Sequence, residues 1–289
     1  MLGKLIKYDF KALKKTLLPL CFGAVALSVF VTILMKLFYL YQDYSQNLSR
    51  VLDDIFGTVL TLLLIFGFLG LVAAAIVSWF LILKRYYQNL FKDDGYLTFT
   101  LPVKTSGILL SKLISSTIWS LITSLFAIVS IAIFVVFGTS RQFINMDAID
   151  TFSRIWEAYW STPLLTLKDY IIIPTIFTIL VLSSVVQNIL LLFLAITLGN
   201  QVSRKHKILG SVGMYFVVNT VASIIVSTAM ILLTYAGLEQ IDNDSIFSIT
   251  PGMDIVYIYL SVAIVISTAL SVAYFFVNKY ILKNHLNLE

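Results

Sequence analysis

The sequence is poor in the residues that do chemistry. One cysteine, Cys21, excludes an intramolecular disulfide, and two isolated histidines, His206 and His285, offer no metal cluster. No G-x-x-x-x-G-K-S/T phosphate loop occurs, so the chain cannot cradle ATP in that way. Neither H-E-x-x-H nor G-x-S-x-G is present, which removes the commonest membrane protease and hydrolase signatures. Charge is also scarce, at 12% of residues against roughly 25% in a soluble domain. The chain is expected not to be an enzyme in its own right.

Apolar residues fill the space that charge leaves, at 59% of the chain with a mean hydropathy of +0.95. No single soluble core hides such a surplus. It falls in six blocks long enough for about 30 Å of hydrocarbon, given a rise of 1.5 Å per helical residue. The expected spans are 17–41, 56–83, 108–137, 171–198, 208–235 and 255–277. All are expected to be helices, because lipid leaves an open strand edge unsatisfied and the alternation of a barrel strand is missing. The first block holds a weak Ala-x-Ala at Ala24 to Ala26 but runs too long for a cleaved signal, so it is read as a retained span.

Orientation follows from where the cations lie. Lys4, Lys7, Lys11, Lys14, Lys15, Lys84, Arg85, Lys92, Lys104, Lys112, Arg204, Lys205, Lys207, Lys279 and Lys283 fall on one side, with Asp9, Asp93, Asp94 and Glu289 as the acids there. Arg50, Arg141, Arg154 and Lys168 fall on the other, among eleven acids. The basic side is expected to be cytoplasmic, with both termini on it, and topology explains the net charge of +5 better than nucleic acid does. The expected fold is therefore all-α and membrane-spanning, in a multi-pass cell-membrane protein. Tyr39, Tyr41, Tyr170, Tyr235 and Tyr257 mark the outer boundary, and Trp79, Tyr86, Tyr87, Tyr274 and Tyr280 the inner one. On the outer side, the stretch TFSRIWEAYW reads as a short interfacial helix.

Two segments on the basic side stand out. Residues 1–16 place Leu2, Leu5, Ile6, Phe10 and Leu13 on one helical face and the five lysines on the other, an amphipathic interfacial helix that turns into the membrane domain of 17–289. Asp9 falls near the centre of the apolar face, which is costly unless it is paired. Residues 84–107 begin as an extension of the second helix, with Gly95 placed to end it and Thr105 or Ser106 placed to cap the third span. Between them, Tyr96 to Val103 puts aromatic and aliphatic side chains on a cytoplasmic surface, the mark of an interaction site unless the loop folds back onto its own helices.

This stretch, RYYQNLFKDDGYLTFTLPVKTSGILLSK, resembles the cytoplasmic loop of ABC-2-type transporter permeases from Gram-positive bacteria, and KYDFKALKK before the first span is similar to that family too. In such permeases the loop between the second and third spans includes a coupling helix that docks into an ATPase subunit. The resemblance implies an ATPase-coupling role for Asp93, Asp94, Gly95, Tyr96, Leu97, Thr98, Phe99, Thr100, Leu101 and Pro102. It implies as partners a separate ABC ATPase, which would carry the ATP and Mg with no cofactor in this chain, a second permease copy in a homodimer, and membrane lipid. The segment 236–254 departs from the pattern, being short and leaving less room for the re-entrant helices of lipid and drug exporters of the family.

Polar residues inside spans are costly in lipid, so they face protein or water. Gln187 and Asn188 near the middle of the fourth span and Asn219 in the fifth are the candidates for a transport path, against a reading as helix-to-helix hydrogen bonds. Gly70, Ala74 and Ser78 form a small-residue ridge that serves either helix packing or a dimer seam. The expected function is the permease subunit of an exporter of a hydrophobic or amphipathic peptide, lipid or drug. The alternatives are a non-transporting scaffold, immunity or sensor protein, or an ion-coupled secondary transporter, which would need intramembrane carboxylates.

Overall fold

The computed structural model describes residues 2–44, 50–92, 95, 100, 103–138, 144–161, 169–202, 206–238 and 253–284. Seven long helices carry them: α1 (Leu2–Tyr44), α2 (Arg50–Phe91), α3 (Thr105–Ile133, continued by a π-helical turn Phe134–Gly138), α4 (Met146–Ser161), α5 (Asp169–Val202), α6 (Lys207–Leu238) and α7 (Met253–Asn284). All but α4 are long and apolar enough to cross a membrane. The expected spans lie inside these helices, but the helices overrun them, because backbone bonding needs no lipid to continue. At 43 residues, α1 is about 65 Å long, twice the hydrocarbon thickness.

No break separates residues 2–16 from the first span. The amphipathic segment and the span are one helix, with Pro19 inside it freeing the carbonyl of Lys15. Helix α4 forms where a short helix is expected. Asn145 caps it by accepting the Ala148 N–H at 3.1 Å, Asp147 sits in the first turn, and no residue of it is buried.

The chain divides into two compact units. One comprises residues 6–85 and 118–161. Its core is Leu13, Leu17, Ile82 and Trp119. Here the small-residue ridge of α2 packs on α1: a Cβ on Gly67 would collide with Val31, and one on Gly70 would lie 3.1 Å from Leu27. Ser78 is buried and returns its hydroxyl to Ala74 O at 2.7 Å, so contact with α1 is made at the Gly70 end of the ridge.

The other unit comprises residues 1–5, 86–117 and 162–289. Helix α5 packs along both α6 and α7. Leu190, Leu191, Leu194, Ala222, Tyr274 and Ile281 form one core cluster, and Tyr86, Leu90, Phe91, Ile108, Leu109, Ile189, Phe193 and Leu282 form another. Lipid gives apolar side chains little reason to leave it, so polar contacts add direction. The hydroxyls of Ser183 and Ser267 lie 3.3 Å apart, and Asn278, fully buried, donates its amide to Leu190 O at 3.3 Å.

Helix α5 approaches α6 tightly at Gly199, where an added Cβ would fall 2.3 Å from the backbone of Ser211. Only a backbone shift relieves that clash, so Gly199→Ala should cost about 1–3 kcal/mol. Gly213, with open space at its Cβ position, is the control: Gly213→Ala should be neutral or gain up to about 1 kcal/mol of helix propensity. Thermal unfolding in detergent reads both, and equal midpoints for the two variants would refute the close approach.

Candidate functional site

The loop of 84–107 is built outward from its roots. Helix α2 ends at Phe91, before Gly95, and Gly95 is itself helical and buried, donating its N–H to Lys92 O at 2.6 Å. It is therefore not the left-handed C-cap its position promises, and no described glycine has a positive φ. Thr100 is helical and exposed. Asp93, Asp94, Tyr96, Leu97, Thr98, Phe99, Leu101 and Pro102 lie outside the described residues. Helix α3 starts at Thr105 itself, so Lys104 rather than Thr105 or Ser106 holds the cap position, its carbonyl accepting the N–H groups of Gly107 and Ile108.

Both roots are clamped in one core. On the α2 side Tyr86 is 1% exposed, and its ring lies parallel to Phe193 at 3.7 Å between centroids. Its hydroxyl is 3.1 Å from Thr197 Oγ1, whose own proton goes to Phe193 O at 2.8 Å, so Tyr86 is the donor. Leu90 and Phe91 follow it into the same cluster, which Ile108 and Leu109 complete from the α3 side with Val103 packed against it. Lys84, Lys92 and Lys104 stay exposed, while Asn89 and Lys112 are buried and engaged with neighbours. This corrects the reading of Tyr86 and Tyr274 as interfacial aromatics: both are buried against α5 residues. Tyr280, by contrast, is exposed.

In the unit of 6–85 and 118–161, the basic start of α1 is tied down on its apolar face. Trp119 Nε1 donates to Phe10 O at 3.2 Å, and the two rings lie 5.0 Å apart. Asp9 is 5% exposed, and its Oδ1 stands 4.0 Å from an Arg85 terminal nitrogen, the intrachain cation that makes a carboxylate tolerable there. The five lysines of this segment are all exposed. Sequence reasoning missed Trp119 as a fixing point, because a tryptophan inside an apolar run looks like any lipid-facing residue.

The candidate path residues are not drawn together. Gln187 and Asn188 lie on α5 and Asn219 on α6, and among the described residues no hydrogen bond joins the three. Asn188 is exposed and donates its amide to Ser184 O of its own helix at 2.9 Å. A group of His, Cys, Asp or Glu able to hold a metal ion is likewise absent among the described residues. Around 84–107 the described residues show two roots fixed in one core. Comparison with known proteins gives no match to a family model, a curated protein or a solved structure, so this arrangement and the sequence carry the functional reading.

Proposed function

We propose that the chain is the membrane-spanning subunit of an ATP-driven exporter, working with a second copy and with ATPases on separate chains to move a hydrophobic or amphipathic molecule out of the cell. What supports the reading above all is the clamping of both roots of the 84–107 segment into one core through Tyr86, Phe91, Ile108 and Phe193. Force applied to the loop would pass directly into α5 and α7, which supply Phe193 and Leu282 to that core. The charge asymmetry supports a cytoplasmic position for this segment, the side from which an ATPase would dock. The path runs at the seam between two copies, since six spans enclose little volume alone.

The orientation is tested with Cys21 removed and single cysteines introduced. Asn243→Cys should react with an impermeant thiol reagent in intact cells and Ser203→Cys should not; the reverse pattern overturns the proposal. Co-purification of an ATPase chain, with hydrolysis stimulated by substrate, separates an exporter from a scaffold whose spans only hold a binding surface.

A further inference from the structure

Within the unit of 6–85 and 118–161, α1, α2 and α3 border two apolar crevices set end to end. The first, about 280 Å³, lies among Cys21, Ala24, Ala75, Ser78, Phe126 and Ala127. The second, about 320 Å³, lies among Val31, Met35, Leu64 and Leu69. Phe68 and Phe134 border both.

The shape selects the occupant. Along α1 the first crevice touches Leu20, Cys21 and Ala24 and the second Val31 and Met35, so together they cover about 22 Å of the helix at 1.5 Å per residue, more than half of the roughly 30 Å hydrocarbon layer. Between the crevices α1 and α2 touch, Val31 against Gly67 and Leu27 against Gly70, so no helix of about 10 Å diameter passes between them. A single extended chain is the body that fits. The chemistry selects it too. The two serines on the wall bond back to their own helices, Ser78 to Ala74 O at 2.7 Å and Ser130 to Phe126 O at 2.9 Å, so neither hydroxyl proton is left for a polar ligand. Alanines at 24, 75 and 127 open the space, and Phe68, 58% exposed, stands at a rim that faces lipid. Phe134 opens the π-helical turn Phe134–Gly138, an irregularity that recurs at functional sites. The buried Gly138 leaves its ring room, since a Cβ there would lie 3.1 Å from it.

We infer that the crevices form a binding site for one acyl chain of a membrane phospholipid, seated lengthwise along α1 with Phe68 and Phe134 closing on its middle. The inference does not rest on the exporter reading. The full-length protein, in nanodiscs of phosphatidylcholine doped with a lipid carrying a diazirine on one acyl chain, is illuminated and its adducts are mapped by mass spectrometry. Adducts should concentrate on Cys21, Phe68 and Phe126 over Phe216, Val221 and Ile224, three of the exposed apolar residues of α6. Ala75→Phe fills the crevice and should abolish that excess while α6 labelling stays unchanged; Ala75→Leu serves the same purpose if the larger side chain impairs folding. Equal labelling of crevice and α6, an excess that survives both substitutions, or adducts replaced by contacts to a second copy would each overturn the site.

Discussion

Tyr86→Ala is expected to lower stability by about 3–5 kcal/mol, the cost of truncating a buried aromatic whose site cannot fully collapse. The side chain is 1% exposed, stacks on Phe193 and touches Phe91 edge-on at 6.4 Å between centroids. Tyr86→Phe keeps the ring and removes only its hydrogen bond, a loss of about 1 kcal/mol, because Thr197 still donates to Phe193 O. The pair of variants therefore separates packing from polarity. Chemical unfolding in detergent should place Phe close to the wild type and Ala far below it; equal losses would show that the hydroxyl, not the stack, holds the root. On the exporter reading the consequences go further. Alanine should loosen the 84–107 segment and weaken stimulation of ATP hydrolysis, and phenylalanine should preserve it.

How much of this was legible depends on which physical signal each residue leaves in the chain. The spans were, since a run such as Ile208 to Ala229 is long and nearly free of charge. Their ends were not: α2 carries on to Phe91 because KRYYQNLF buries Tyr86, Leu90 and Phe91 against distant helices, and hydropathy records the lipid rather than the neighbour. The same gap misplaced Tyr274. A sharper signal was available on α7, where Ser267, Ser271, Tyr274 and Asn278 recur at three- and four-residue spacing and are all buried. A polar stripe at that period in an apolar helix marks a face turned to protein. Asp9 announced its need for a cation, but Arg85 could be identified only from the fold, because nothing local links the two positions. The break expected between residue 16 and the first span does not occur, since Leu13 and Leu17 continue one buried face through that point. Asn188 stands out on polarity alone, and one of its amide protons goes to Ser184 O of its own helix. The loop motif itself was legible only through resemblance, and most of its residues fall outside the described positions.

The central claim is coupling, and binding of a separate ATPase tests it most directly. On the exporter reading, Tyr96 and Phe99 fill a groove on that partner, and truncating one such buried interface aromatic commonly costs about 2 kcal/mol or more, roughly thirtyfold in affinity. The double change Tyr96→Ala with Phe99→Ala should therefore release the ATPase or abolish substrate-stimulated hydrolysis. Membrane insertion and pairing of permease copies should survive, because the loop lies outside the spans. Asp242→Ala with Asp244→Ala, on the opposite side by the charge rule, is the matched control and should change neither. The measurement is the amount of ATPase retained by the affinity-purified protein, with its hydrolysis rate, in wild type, loop variant and control. Loss confined to the loop variant is the predicted result; normal retention and stimulation in that variant would contradict the coupling assignment and leave a scaffold in its place.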